Sequence, residues 1–352
     1  MSVFELLQVG GHEEVVLASD PAVGYRGVIA IHSTALGPAV GGTRWWTYAS
    51  DEDAIVDALR LSRGMSYKNA LAGLPLGGGK GVILGSPGPV DRPDILRAHG
   101  RFIDRFRGLF VTGEDVGTTP ADMEYIAETT PFVAGRAGQS GDPSPHTGRG
   151  VFRAMQAAAR NRWGTDSLAG KTVTLQGCGN VGYHLAGHLA RDGARLVVSD
   201  LDDAKAGRVV AEFGARAVPH HRIVAEPADV FAPCALGAII NDATIPDLKA
   251  ELVVGGANNQ LLEPRHGDEL ARRGILYIPD YVANAGGVTF GGSVEVLKLT
   301  HAAAAERVEA IYDITQDVLE QARSLGIPPY QAADRMAEAL IGGKTVRRGL
   351  SG

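Results

Sequence analysis

The tightest constraint on this chain lies at Gly177-Cys178-Gly179-Asn180-Val181-Gly182, which matches G-x-G-x-x-G. A β-forming run over 172–176 precedes it, and an apolar-periodic helix over 181–191 opens within it. A second β-run over 195–199 leads to Asp200, twenty-three residues past Gly177. The glycine pattern alone is weak. Strand, turn, helix, strand and acid in that order predict a dinucleotide-binding turn. Gly177 permits the tight turn, Gly179 lets a pyrophosphate approach the backbone, and Gly182 lets helix and strand pack. The helix N-terminus offers free N–H groups and a positive dipole end to the phosphates. Cys178, Asn180 and Val181 complete the loop, with Cys178 as a small apolar filler. Asp200 is placed to accept hydrogen bonds from the adenosine ribose, and its charge repels a 2′-phosphate, so NAD is expected over NADP. The competing reading is a glycine turn that binds nothing, and the complete context weighs against it.

Short apolar runs at 238–240, 252–254 and 275–278 continue the alternation, which argues for a parallel sheet with helices on both faces. After Ala302 the pattern is helical, broken at Pro328-Pro329. Before the turn, a strand is expected over 27–32. Ser50 and Asp53 have capping-box spacing, and Ile55, Ala58, Leu59 and Ser62 form one helical face. Gly64 is expected to close that helix in a left-handed cap. A strand over 109–112 leads into Gly113-Glu114-Asp115, and the Gly-, Ser- and Pro-rich stretch 135–150 reads as a boundary or hinge, with a helix from 151 to 162.

At ~150 residues per domain, 352 residues suit two domains. A net charge of −6 makes nucleic acid a poor partner. Two isolated cysteines, Cys178 and Cys234, exclude a disulfide scaffold and a zinc knuckle. No signal-peptide pattern opens the chain, and no apolar run approaches the ~18 residues of a membrane span. A cytoplasmic protein without membrane or metal is the expectation.

Lys68 and Lys80 stand twelve residues apart, with Gly77-Gly78-Gly79 before the second. Three glycines are expected to give that lysine an open, side-chain-free approach. A phosphate loop fails here, because Leu74 replaces its first glycine and Gly81 its hydroxyl. Beside a nicotinamide, two lysines suit a substrate carboxylate. Mutual repulsion and burial would lower the proton affinity of one, and Asp115 can accept a proton from an amine or water. Without the cofactor turn, the same residues read as solvated lysines and a turn aspartate.

These motifs together resemble the glutamate/leucine/phenylalanine/valine dehydrogenase family, and most closely its leucine dehydrogenase branch. The resemblance runs from about residue 12 to 292. It includes Leu36-Gly37-Pro38-Ala39-Val40-Gly41-Gly42-Thr43-Arg44, both lysine segments, and Thr112-Gly113-Glu114-Asp115-Val116-Gly117-Thr118. The glycine turn, Gly256-Ala257-Asn258-Asn259-Gln260-Leu261 and Pro279-Asp280-Tyr281-Val282-Ala283-Asn284-Ala285-Gly286-Gly287 complete it. The resemblance implies an α/β fold of two domains with a cleft between them. One is an N-terminal α/β catalytic domain over 1–143, joined by 326–352. The other is a Rossmann-type doubly wound NAD-binding domain over 144–325.

It further implies that Lys68 holds the substrate carboxylate, that Lys80 assists attack of water on an imine, and that Asp115 shuttles protons to and from the amino group. Thr147, Asn258 and Asn284 match polar positions near the nicotinamide and substrate. The implied reaction converts L-amino acid, NAD and water reversibly into 2-oxo acid, ammonium and NADH in a homo-oligomer. In leucine-type relatives side-chain specificity is set near the positions of Val40, Gly113, Val288 and Gly291, with Gly41 beside them. Two glycines among the four suggest room for a bulky aliphatic or an aromatic substrate.

Thr147-Gly148-Arg149-Gly150 and Thr289-Phe290-Gly291-Gly292-Ser293 depart from the family pattern. His184 and His188 have metal-ligand spacing but lack the glutamate of H-E-x-x-H, so packing or solvation is the expected role. Trp45-Trp46 is expected to be partly buried or in an oligomer contact. The alternatives are an aromatic amino-acid dehydrogenase and a dinucleotide-binding sensor without catalysis. A hydroxy-acid dehydrogenase lacks a suitable His/Arg/Asp set.

Overall fold

Backbone pairing in the computed structural model, which describes residues 3–86, 91–136 and 140–344, forms two six-stranded sheets, each in its own unit. The first unit takes the chain up to Asp142, with Gly291–Leu299 and a segment from Ala337. Its elements are α1 (Val3–Gly10), β1 (Glu14–Asp20), β2 (Tyr25–Ser33), β3 (Ala39–Val40), β4 (Thr43–Trp46), α2 (Asp51–Leu71), β5 (Gly77–Leu84), α3 (Arg92–Asp104), β6 (Phe110–Val111) and α4 (Pro120–Ala127). The strands run β1-β2-β5-β3-β6, with β4 also on β5. The β1–β2 and β2–β5 pairs are antiparallel, whereas β3 and β4 run parallel to β5. One face buries Ile29, Ile31, Trp45, Phe102 and Phe110, and the other packs Val28, Ala30 and Val82 against Ala54, Ile55, Ala58 and Leu59 of α2. Trp45 is fully buried while Trp46 is exposed, as alternation along β4 requires.

Ser50 caps α2 as its spacing predicts, accepting the Asp53 N–H at 3.1 Å. Gly64 does not end the helix. The chain stays helical to Leu71 and turns at Gly73, whose φ is +65°. Ser66, Tyr67, Lys68, Asn69, Ala70 and Leu71 are all buried beyond Gly64. Packing six residues outweighs the ~1 kcal/mol a mid-helix glycine costs. Lys68 therefore belongs to the last turn of this helix.

The second unit holds α5 (Ser144–Trp163), β7 (Thr172–Gln176), α6 (Asn180–Arg191), β8 (Arg195–Ser199), α7 (Asp203–Phe213), β9 (Arg216–Ala217), β10 (Val230–Pro233), β11 (Leu252–Val253), α8 (Pro264–Arg272), β12 (Leu276–Tyr277) and α9 (Asp280–Ala283). Helices α10 (Gly286–Glu295), α11 (His301–Glu309), α12 (Ile311–Leu325) and α13 (Pro329–Ile341) follow. Its sheet runs β12-β11-β10-β7-β8-β9, parallel throughout. That is the doubly wound pattern expected around the glycine turn.

Three sequence expectations need correction. Residues 238–240 form no ladder strand: Ala238 has φ +59° and Ile240 makes one isolated bridge to Leu261. The strand between β7 and β11 is β10, whose closing Pro233 disguises it. The stretch 144–150 is the start of α5, with proline in its first turn, so the link is shorter than its composition suggests. At the other end, the chain rejoins the first unit at Ala337 and not at 326, and Gly291–Leu299 also belongs to that unit. Tyr330 packs against the Phe231 and Leu270 cluster and Tyr281 bonds Asp334, whereas Glu338 accepts the Tyr67 hydroxyl of α2. Among the described residues, no helix is long and apolar enough to cross a membrane.

Candidate active site and dinucleotide turn

The glycines before Lys80 do not open a path to it. A Cβ on Gly77 would lie 2.0 Å from the Ser33 carbonyl oxygen, and one on Gly78 2.1 Å from the Ser66 nitrogen. One on Gly79 would lie 2.6 Å from the Phe110 ring, and one on Gly41 only 1.7 Å from the Gly79 oxygen. All of Gly77 to Gly79 are buried in β5. Bare backbone lets α2 and β3 press against the strand, so Lys68 on α2 and Lys80 on β5 are both buried in this unit. Asn69 fixes the contact by donating to the Gly77 carbonyl at 2.6 Å.

Lys80, 4% exposed, sits opposite Ala30 of β2, and its Nζ lies 2.8 Å from Asp115 Oδ2. Asp115 follows β6 in a loop that Thr118 shapes. The Asp115 N–H donates to Thr118 Oγ1 at 2.9 Å, and Thr118 Oγ1 donates to the Thr43 carbonyl at 2.8 Å. Arg44 of β4 donates from Nε to the same Oδ2 at 2.8 Å and from Nη1 to Asp57 Oδ2 at 2.9 Å. The Tyr48 hydroxyl completes the chain by donating to Asp57 Oδ2 at 2.7 Å.

Burial lowers the proton affinity of Lys80; the Asp115 carboxylate opposes that and the Arg44 guanidinium adds to it. An arginine thus plays the part expected of a second lysine. Burial alone would raise the Asp115 pKa, but the Lys80 and Arg44 charges and hydrogen bonds hold it well below the usual carboxylate range. Sequence reasoning gave Arg44 no role. The signal available was that Arg44 is the single charged residue in the stretch 36–44.

Beneath the site, His99 is buried between the Tyr25 hydroxyl and Thr43 Oγ1, both at 2.8 Å, and Thr43 Oγ1 lies 2.6 Å from Thr112 Oγ1. Burial pushes His99 down to about 3, so it stays neutral and ties β2 to β4 by hydrogen bonds alone. Val40 pairs with Gly78 and Val111 at the start of the same ladder. Gly113 and Gly291 differ from the β5 glycines. A Cβ on Gly113 would meet the Ala134 oxygen at 3.7 Å, and one on Gly291 the Ser140 Oγ at 3.5 Å, both ordinary contacts. No neighbour forces glycine at either position.

In the second unit, β7 runs into Gly177 (φ +96°), where a Cβ would lie 2.8 Å from the Ala235 nitrogen. Gly182 could not carry a Cβ either, since the Gly177 oxygen would be 2.0 Å away. Around Gly179 a Cβ would meet nothing within 4 Å, and this residue caps α6 without a side-chain hydrogen bond. Val181 packs on Gly256, where an added Cβ would be 2.7 Å from it. A tight turn, open space over its middle glycine and an uncapped helix start fit a pyrophosphate. Asp200 accepts the Cys178 N–H at 2.6 Å and the Asp202 N–H at 2.9 Å, one on each oxygen, which leaves lone pairs on both for ribose hydroxyls. Burial raises the Cys178 thiol to about 12, consistent with a filler.

Thr147 lies in the first turn of α5 and donates to the Pro143 carbonyl at 3.0 Å; a Cβ on Gly287 would be 2.5 Å from its Oγ1. Asn284 is buried, donates to Asn258 Oδ1 at 2.8 Å, and has an Oδ1 without a hydrogen-bond partner among the described residues. Val288 is half-buried on α10. Arg149 is paired with Glu309 through two hydrogen bonds of 2.7 Å, so the unusual cation is neutralised locally. His188 stacks on Phe152 and lies 2.9 Å from the Arg191 guanidinium. Among the described residues, no group of three or more His, Cys, Asp and Glu could hold a metal ion.

Comparison with known proteins gives consistent matches. Residues 12–132 match the family described as Glu/Leu/Phe/Val dehydrogenase, dimerisation domain. Residues 138–214 and 198–346 match Glutamate/Leucine/Phenylalanine/Valine dehydrogenase. The chain is 50% identical to leucine dehydrogenase of Geobacillus stearothermophilus over 354 aligned positions, covering 100% of this chain and 96% of the relative. It is 48% identical to valine dehydrogenase of Streptomyces coelicolor, covering 94% and 92%. The crystal structure of L-tryptophan dehydrogenase from Nostoc punctiforme superposes with a TM-score of 0.81 at 43% identity, covering 97% of this chain and 99% of that one.

Proposed function

Because the chain belongs to the glutamate/leucine/phenylalanine/valine dehydrogenase family, we propose that it oxidatively deaminates a nonpolar L-amino acid. The reaction is reversible: L-amino acid, NAD and water give 2-oxo acid, ammonium, NADH and a proton. The single observation that carries this reading is the buried Lys80 held against Asp115 at 2.8 Å. A nicotinamide dinucleotide held at the Gly177–Gly182 turn would supply the acceptor for the hydride that leaves the substrate Cα.

This chain's own residues do the rest. Lys68 holds the substrate carboxylate as a point charge. Lys80, with its lowered proton affinity, takes a proton from the water that attacks the imine carbon, and in charged form steadies the tetrahedral intermediate. Asp115 passes protons to and from the departing nitrogen. Its starting state is an ionised carboxylate held by two cations, so it accepts a proton most readily once Lys80 is neutral. Gly177, Gly179, Gly182 and the first turn of α6 take the pyrophosphate, with Cys178, Asn180 and Val181 supplying the loop. Thr147, Asn258 and Asn284 offer polar contacts to nicotinamide and substrate.

The family uses a nicotinamide dinucleotide. We assign NAD over NADP to this chain because Asp200 places negative charge where a 2′-phosphate would lie. The dimerisation-domain description of residues 12–132 supports a homo-oligomer. The open positions at Gly113 and Gly291 support a second substrate reading, an aromatic side chain, which accords with the tryptophan dehydrogenase likeness. Val40 and Gly41 of the same unit join them in either case, and Val288 keeps the specificity role that the family resemblance implies. Incubating the protein with NAD or NADP and each of the twenty amino acids, while following absorbance of the reduced cofactor, tests these assignments. Activity with aliphatic or aromatic L-amino acids and NAD is expected; no reduction with any of them overturns the reading.

A further inference from the structure

We propose that Arg44 is a positioning residue for the deamination, fixing Asp115 by one oxygen and setting the charge state of its neighbour Lys80. The inference rests on the function proposed above, but its geometry is independent of it. Arg44 Nε and Lys80 Nζ both lie 2.8 Å from Asp115 Oδ2. Among the described residues no hydrogen bond goes to Asp115 Oδ1. Two cations thus pin one oxygen of the carboxylate and leave the other for a substrate nitrogen. Arg44 is itself braced. Its Nη1 donates to Asp57 Oδ2 at 2.9 Å, and Tyr48 donates to that same oxygen at 2.7 Å. A guanidinium can do this because Nε and Nη1 point along fixed directions; an ammonium has no such fork. The contacts span β4, α2 and the loop after β6, so the brace holds three elements of one unit in register around Lys80.

The charged groups acting on Lys80 are Asp115, Arg44 and Asp57. Tyr48 bonds Asp57, and Glu114 adjoins Asp115, with its own proton affinity raised by burial, Asp142 and Asp115. Lys68 is buried on α2, which packs against β5, and His99 behind Gly81 is neutral. Within this set, Arg44 is a cation that acts against charging Lys80. Removing it raises the proton affinity of Lys80, so the basic form appears only at higher pH. Asp115 stays paired with Lys80 and remains ionised.

The test compares the full-length protein with Arg44→Ala and Arg44→Lys by steady-state kinetics across pH. In parallel, Lys80 is titrated by carbon-13 NMR of its ε-methylene, assigned with Lys80→Arg. Arg44→Ala is expected to lower kcat ~10–100-fold, the effect of losing its charge-assisted hydrogen bond to Asp115, with NADH binding unchanged. Its acidic limb should move to higher pH together with the Lys80 titration. Arg44→Lys keeps the charge but not the fork, so limb and titration return towards wild type while kcat recovers only in part. A limb and a Lys80 titration that stay in place in Arg44→Ala overturn the proposal, whatever happens to melting temperature. Should wild-type protein reduce no cofactor while Lys80 still titrates higher in Arg44→Ala, the hold of Arg44 on Lys80 stands and the deamination alone falls.

Discussion

A methyl group added to Gly78 would lie 2.1 Å from the backbone nitrogen of Ser66, whereas one added to Gly179 would meet nothing within 4 Å. The two units use glycine for opposite ends. Around Lys80, bare backbone is consumed by packing, and the chemistry rests on side chains: a buried ammonium, a carboxylate and a guanidinium within 2.8 Å contacts. At the α6 start, Gly177 and Gly182 are also tightly packed, but Gly179 is left open at a helix start that no side chain caps. There the backbone is the group proposed to bind the ligand. A site made of buried charges is sensitive to charge removal, and a site made of backbone is sensitive to shape.

The largest effect separating the two comes from Lys80→Ala. Loss of a proton-transferring group lowers kcat by ~10²–10⁴-fold. The fold should survive, because Asp115 keeps its bond from Arg44 and no buried charge is stranded. Dinucleotide affinity, read by NADH fluorescence, should stay within about twofold, since the turn belongs to the other unit. In wild type, the proton affinity of Lys80 is below the ordinary lysine value, so the rate should rise with pH through a limb lying below about 10.5. Undiminished kcat in Lys80→Ala, or a limb at or above the ordinary lysine value, breaks the contrast.

Next is a matched pair of glycine substitutions. Gly78→Ala drives a Cβ into the backbone of α2 and should cost ~1–3 kcal/mol, read as a lowered unfolding midpoint in denaturant. Gly179→Ala should leave that midpoint in place and weaken dinucleotide binding about tenfold by crowding the pyrophosphate. Equal midpoints for the two variants would mean that packing around Gly78 has been misjudged.

The contrast also explains which features were legible in the sequence. The strand, turn, helix and acid of 172–200 form one continuous local unit, and every element falls where its residue pattern predicts. Lys80 and Asp115 stood out by type and context. The Lys80–Arg44 relation did not, because it depends on β4 lying beside β5 in parallel and on a loop held by Thr118. Neither is written in spacing. Gly64 misled for a related reason: the residues after it are buried by tertiary packing that outvotes local propensity. The central strand β10 escaped notice because it is four residues long and ends in proline, whereas the apolar 238–240 carries the pattern without the backbone. Local motifs were readable; the assembly of side chains from separate elements was not.

A smaller effect concerns Asp200. Its carboxylate braces the turn through the Cys178 and Asp202 N–H groups, and it is also the group proposed to face the ribose. Asp200→Asn keeps an acceptor and removes the charge, while Asp200→Ala removes both. The ratio of kcat/KM for NAD over NADP should fall about tenfold in each, because repulsion of a 2′-phosphate depends on charge alone. Only Asp200→Ala should also weaken NAD binding through the loosened turn. An unchanged ratio in both variants would remove Asp200 from cofactor choice and leave it a purely structural cap.

The finest distinction lies within the first unit, between glycines that packing requires and those it does not. Gly41 admits no Cβ, while Gly113 and Gly291 would place one in ordinary contact with Ala134 and Ser140. If the latter two are glycine to make room for the substrate, Gly291→Ala and Gly113→Ala should fold normally. Each should shift preference from aromatic or bulky side chains towards valine, by about tenfold, the lower end of what one methylene decides. The measurement is a kcat/KM panel over valine, leucine, phenylalanine and tryptophan. A uniform loss across all four would place these glycines outside the side-chain pocket, because a pocket wall discriminates by size and a distant defect does not.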